Sequence, residues 1–286
     1  MTSRTISSYL APYLPCFALC FAGLCSVSQA AELINLYDSD SLAARQPLMI
    51  AHRGGVVREG VPENSLPALR LAAEQGYGMV EVDVRATRDG VPVAFHDDEL
   101  EQHVGVSGRI EDLSFYEVSK LRYHEGERVL SLDEYLREAA ALGLGIMLDI
   151  KTDGDPGYYD EIAAQLARYH LNEATLTISR KPGTVHHLAG QVMHRVSAEQ
   201  EQRIANGETL DLNGLFWFGW PRYISNERVA EIQTMGALVV PSINVFHYPE
   251  AEHMQRAEED IRRMYEAGVD AYQIDGVYGP LVEALQ

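Results

Sequence analysis

The stretch MVEVDVRATRDGVPVAF, residues 79–95, holds two apolar, β-branched runs joined by RATRDG (85–90). That linker is too short for the crossover helix that parallel neighbours need. Its Asp89-Gly90 pair is a strong two-residue hairpin signal. The second run therefore folds back antiparallel on the first. With Asp89 and Gly90 as a two-residue loop, cross-strand partners have numbers summing to 179. Asp83 is then expected opposite His96, and Glu81 opposite Asp98, on one side of the ribbon.

This hairpin decides the strand count. Strand-like runs occupy residues 48–51, 79–84, 91–95, 144–150, 175–178, 194–196, 215–218, 238–243 and 271–274, with helical patterns between most of them. Ser131-Leu132-Asp133-Glu134 has capping-box spacing, and Gly143 stands where that helix should stop. Repeated strand–helix alternation points to a parallel α/β fold, either an open sheet or a closed barrel. Setting the 91–95 run aside as an antiparallel excursion leaves eight strand–helix units. The fold expected is a (β/α)8 TIM barrel with a β-hairpin excursion after its second strand.

Residues 1–30 read as a cleaved signal peptide: Arg4, then a mostly apolar run broken by Pro12 and Pro15, then Ser28-Gln29-Ala30. Residues 31–286 are then expected to form a single catalytic domain, secreted to the periplasm, with no stable membrane anchor. Cys16, Cys20 and Cys25 all lie in the leader, so the mature chain has no disulfide and depends on its core. The chain carries −19 at neutral pH, and −20 without Arg4, the leader's one charged residue. An acidic body of this kind does not attract nucleic acid through its overall field.

In a barrel, chemistry gathers at the C-terminal ends of the strands. Four such ends carry charge where packing alone would call for apolar groups: His52-Arg53-Gly54, Glu81-Val82-Asp83, His96-Asp97 and Asp149-Ile150-Lys151. Each group alone is most simply a solvated or ion-paired side chain. Together they require costly charges at four separate places on one end of the fold. Three carboxylates at one point repel unless a cation sits among them, and oxygen ligands without Cys favour Mg2+ or Ca2+. Two histidines beside one divalent cation suit general base or nucleophile and general acid. Arg53 and Lys151 supply fixed positive charge for an anionic group such as phosphate. The sum is metal-assisted attack on a phosphoester.

In chain order, His52-Arg53-Gly54, Glu63-Asn64, Glu81-x-Asp83, Asp89 through Asp97, Asp149-x-Lys151 and Gly268-Val269-Asp270 with Asp275 resemble the glycerophosphodiester phosphodiesterase family. The resemblance runs from about residue 48 to 280. It implies a (β/α)8 barrel with one divalent cation that hydrolyses a phosphodiester to a phosphomonoester and an alcohol. By position it implies Glu81, Asp83 and Asp149 as metal ligands and His52 and His96 as the acid–base or nucleophilic pair. Arg53 and Lys151 would contact phosphate. Glu63 and Asn64 would close the pocket mouth, with Glu63 orienting Arg53 or meeting metal and substrate. The glycines after Arg53 are expected to let backbone approach the ligand.

The chain departs from the family's pattern at three places. Asp149 stands where Glu is usual. Leu100-Glu101-Gln102-His103-Val104-Gly105 replaces the common L-x-R-T-T-G, and VVPSINVFHYPE (239–250) replaces W-T-V-N. The core chemistry is kept while the substrate rim is altered. Phospholipase D-type sphingomyelinases share the two-histidine, three-carboxylate barrel, with Asp at the third ligand. A small-molecule phosphodiester or a lysophospholipid or sphingomyelin is therefore the expected substrate. GLFWFGWPRY (214–223) offers either core packing or an apolar wall for a lipid chain. A secreted, non-catalytic binding barrel is a further alternative.

Overall fold

The computed structural model describes Met1 and residues 32–285. The expected leader, residues 1–30, lies outside the described residues apart from Met1. Among the described residues, no helix is long and apolar enough to cross a membrane.

Ten strands form one sheet among these residues. They are β1 Leu48–Ala51, β2 Met79–Ala86, β3 Pro92–Ala94, β4 Leu130–Ser131, β5 Gly145–Ile150, β6 Thr175–Thr177, β7 Met193–Arg195, β8 Leu215–Gly219, β9 Leu238–Ile243 and β10 Ala271–Ile274. β1 pairs in parallel with both β10 and β2, which closes a barrel of β1, β2 and β5 through β10. Helices follow these strands in turn, from Leu66–Glu74 after β1 to Gly279–Glu283 after β10. The fold is the expected (β/α)8 barrel.

Local sequence explains the elements. Ser131 caps the helix Leu132–Ala141 in a full capping box with Glu134, and Gly143 leaves it at φ 72°. β2 is buried along its whole length because both faces are covered. Val80, Val82 and Val84 alternate with Glu81, Asp83 and Arg85, so the charged residues share one face. A strand can carry that charge only where partners are supplied.

The excursion differs from expectation in its register. Val84 faces Ala94 and Arg85 faces Val93, so partner numbers sum to 178 rather than 179. The connection has three residues: Thr87 N–H donates to Val91 O, Gly90 N–H donates to Thr87 O, and Gly90 takes φ 79°. Asp-Gly serves this bulged turn as readily as the two-residue one. Asp83 thus faces Phe95, whose N–H donates to its carbonyl at 3.0 Å, and His96 lies beyond the strand. A short strand missing from the sequence reading, β4, adds to β3.

The excursion also has a core of its own, built on Val93, Phe95, Leu100, Ile110, Val118, Tyr123 and Val129. Replacing the fully buried Phe95 by Ala should cost about 3–5 kcal/mol in urea denaturation. Hydrogen exchange should show residues 92–131 losing protection while β5 through β10 keep theirs; equal loss in both would contradict a separate excursion core.

Candidate active site

The loop after β1 begins the site. Arg53 (φ 56°) and Asn64 (φ 51°) both lie in the left-handed region, which Asn tolerates and Arg seldom adopts. The strain is held by hydrogen bonds. Asn64 N–H donates to Arg53 O at 2.8 Å, Gly54 N–H to Glu81 O at 2.6 Å, and Arg53 N–H to Glu81 Oε2 at 2.7 Å. The glycines let the loop pack closely against the protein's own backbone. A Cβ on Gly54 would lie 2.4 Å from Asn64 Cα, and one on Gly55 would lie 2.2 Å from Ala68 O.

Asn64 is fully buried, which places it beneath the pocket and not at its mouth. Its Nδ2 donates to Asp83 Oδ2 at 3.0 Å, and its Oδ1 accepts from Asp83 N–H at 3.2 Å. Glu63, the preceding residue, accepts from Arg53 Nη1 at 2.6 Å, as one of its two expected roles required.

Glu81, Asp83 and Asp149 each offer an oxygen within 4.8 Å of the others. The barrel register sets Asp83 beside Asp149 on neighbouring strands. Lys151 Nζ lies 2.5 Å from Asp149 Oδ2 and 3.0 Å from Asp83 Oδ1. Burial, then the charges of Asp83 and Asp149, push the Glu81 carboxyl well above the usual carboxylate range. Burial would raise Asp83 too, but Lys151 and His96 outweigh it and hold it low. Burial works against the charge on Lys151, and Asp83 and Asp149 more than offset it, raising its pKa. Asp83 Oδ1 is buried and is met by the Lys151 ammonium as an ion pair without a well-directed hydrogen bond. Three hard carboxylate donors converging in this way fit a divalent cation such as Mg2+ or Ca2+.

The two histidines are oriented by different bodies. His52 Nδ1 lies 2.6 Å from Asp275 Oδ1, just past β10, while its Nε2 is 4.0 Å from Glu81 Oε2. Burial opposes the Asp275 charge, yet the His52 contact holds its pKa below the ordinary value. With Asp275 accepting, Nδ1 carries the proton and Nε2 is free to act. His96 Nδ1 lies 2.5 Å from Asp97 Oδ1. Buried Arg85 fastens this loop: its Nε and Nη2 donate to His96 O at 3.0 and 2.9 Å, and its Nη1 donates to Glu111 at 2.8 Å. His96 therefore reaches the site through a clamped loop and not through strand pairing.

A cavity of about 400 Å³ joins these groups: His52, Arg53, Glu81, His96, Asp149 and Lys151 line one side. Phe218, Trp220, Ser242, Asn244, Phe246, His247 and Gln273 line much of the rest. A second cavity of about 490 Å³ shares His52, Arg53 and Phe246 and is bordered by Val57, Val245 and Val277. A further cavity of about 560 Å³, between Arg45, Leu48, Tyr77 and Gly143, lies by the strand starts and holds none of the candidate residues. In the aromatic run, Phe216 is fully buried, Trp217 nearly so, and Phe218 reaches the active-site cavity. Burial pushes His247 down to about 4, so it lines the cavity as a neutral ring.

All the expected site residues gather at this end of the barrel, with Asn64 as a support. The sequence reading gave no role to Asp275, Asp97, His103, Arg85, Asn244 or Gln273. Polar residues at the ends of β9 and β10 were the available signal for Asn244, Gln273 and Asp275. Asp270 of the same closing motif lies elsewhere, accepting from Val239 N–H at 2.8 Å and Gln233 Nε2 at 3.0 Å.

The fold and site define a TIM barrel in which strands β2 and β5 carry an acidic triad and the loops after β1 and β3 bring two histidines beside it. Residues 52–193 match the Glycerophosphoryl diester phosphodiesterase family. The chain is 39% identical over 131 residues to glycerophosphodiester phosphodiesterase 1 of Rattus norvegicus, covering 43% of this chain and 38% of that protein. It is 29% identical over 141 residues to a glycerophosphodiester phosphodiesterase of Caldanaerobacter subterraneus, covering 46% and 57%. The chain thus spans less than two thirds of the length of either relative. Its fold resembles that of a glycerophosphoryl diester phosphodiesterase of Parabacteroides distasonis, with TM-score 0.66, 21% identity and coverage of 90% and 94%. It also resembles an Oleispira antarctica phosphodiesterase solved with sn-glycerol-3-phosphate as product, with TM-score 0.61, 23% identity and coverage of 85% and 98%. The match places residues 52–193 of the chain in the glycerophosphodiester phosphodiesterase family.

Asn64→Leu removes both partners that Asn64 gives Asp83 while keeping much of the volume. Thermal and chemical denaturation should register a loss of about 1–3 kcal/mol. A variant as stable as the wild type would mean that Asp83 does not depend on this support.

Proposed function

We propose that the protein is a divalent-cation-dependent phosphodiesterase that hydrolyses glycerophosphodiesters to glycerol phosphate and an alcohol. The observation that carries this reading is the oriented histidine pair beside the converging carboxylates of Glu81, Asp83 and Asp149 at one cavity. Glu81, Asp83 and Asp149 hold the cation, which when bound neutralises phosphate charge and polarises a phosphoryl oxygen. Arg53, fixed by Glu63, and Lys151 hold phosphate oxygens.

His52 and His96 form the proton-transfer pair. One removes the proton of the attacking hydroxyl, either the neighbouring glycerol hydroxyl or water, as oxygen bonds to phosphorus. The other gives a proton to the departing alkoxide as its bond to phosphorus breaks. Attack by the glycerol hydroxyl yields a cyclic phosphate, which water opens with the same pair in exchanged roles.

His96→Ala should lower turnover about 10²–10⁴-fold and leave metal affinity by calorimetry near that of the wild type. Asp83→Asn should weaken metal binding and turnover together. Chelation should abolish hydrolysis, with recovery on adding Mg2+ or Ca2+. Full activity in His52→Ala, or turnover indifferent to chelator, would overturn the mechanism and favour a non-catalytic binding barrel.

A lysophospholipid is the second reading, favoured by exposed Val57, Val245, Phe246 and Val277 around the second cavity. Parallel assays on glycerophosphocholine, lysophosphatidylcholine and sphingomyelin decide between water-soluble and lipid substrates. Export to the periplasm is likewise our reading of residues 1–30; fractionation of the expressing cell tests it.

A further inference from the structure

His103 has no part in the chemistry above, yet it ends the chain of contacts that holds His96. Asp97 uses one carboxylate oxygen for His96 Nδ1 and the other for His103 Nε2, at 2.7 Å. Asp97 adjoins His96 in sequence and sits on a loop outside any strand, part-exposed to water. Left to itself, such a carboxylate would turn to solvent, and the His96 ring would lose its orienting acceptor. His103 restrains it.

The His103 ring is itself fixed. It stands edge-on to Phe95, with centroids 5.9 Å apart and planes at 87°, and lies 6.4 Å from Tyr123. Phe95 and Tyr123 belong to the excursion's own core. His103 Nε2 also lies 3.9 Å from Glu63 Oε1, a buried oxygen without a hydrogen-bond donor. The other oxygen of Glu63 holds Arg53. One histidine nitrogen thus stands between carboxylates that serve opposite arms of the site.

We propose that His103 is a positioning residue for the reaction: it locks Asp97 so that His96 keeps one tautomer and presents Nε2 to the substrate. This rests on the phosphodiesterase reading, in which His96 transfers the proton.

Two variants separate positioning from mere packing. His103→Leu fills space without a donor, whereas His103→Gln keeps an amide donor within similar reach. On glycerophosphocholine with saturating Mg2+, His103→Leu should lower kcat about 10–100-fold with KM little changed, and His103→Gln should recover most of it. Ring ¹⁵N NMR of the Mg2+-loaded protein should show His96 with Nδ1 protonated in the wild type and in His103→Gln. In His103→Leu it should show a mixture of tautomers. Wild-type kcat and an unchanged His96 spectrum in His103→Leu would overturn the proposal, as would equal impairment in both variants. A wild-type protein inactive on phosphodiesters would count against the phosphodiesterase reading, while the His96 spectra would still decide whether His103 positions it.

Discussion

Burying two carboxylates on one strand, with a third beside them on the next, is the constraint around which this end of the barrel is arranged. Glu81 and Asp83 are each 1% exposed. Such charges are tolerated only with hydrogen bonds and counter-charge close by. The chain supplies these from three directions: the Arg53 N–H from the first loop, the Asn64 amide beneath, and the Lys151 ammonium across the sheet. The interior of a parallel barrel is normally filled by apolar side chains. Here the alternation along β2 sends Val80, Val82 and Val84 one way and concentrates charge the other way.

The unusual backbone after β1 follows from that need. For the Arg53 N–H to meet Glu81 while its side chain reaches Glu63, the chain must turn sharply, and the left-handed Arg53 and Asn64 make the turn. Strain of this kind persists only where its surroundings over-determine it. The surroundings are the Asn64–Arg53 hydrogen bond and two glycines packed against main chain that no Cβ could approach. Stability and site geometry are therefore one problem in this loop.

Much of this was legible in the sequence, and what was not has physical reasons. β1, β9 and β10 were read to the residue because each is an apolar run with clear ends. β4 was missed because two residues carry no periodicity. The hairpin register was off by one because Asp-Gly supports both a two- and a three-residue loop, and only tertiary pairing selects between them. Charged strand ends revealed His52, Glu81, Asp83, His96, Asp149 and Lys151. Arg85 and His103 stayed hidden because their importance lies in what they touch, a carbonyl and a carboxylate that the chain alone does not place. The close packing of Gly54 and Gly55 was not legible, because a glycine next to a charged motif looks the same whether its neighbour is a ligand or the protein's own backbone.

The excursion's separate core gives the site a composite character. His52 is tied to the barrel through β1 and Asp275, while His96 is carried by a small folded unit attached through Arg85 and the shared β2 strand. The distance between the two imidazoles then depends on how the excursion packs on the barrel, where its Ala94 and Leu130 join the main core. A barrel deprived of the excursion would keep its acidic triad, Lys151 and one histidine, and lose the second. The complete constellation is thus a property of an internal docking surface, and sequence drift on either side of it is bounded by the fit between the two.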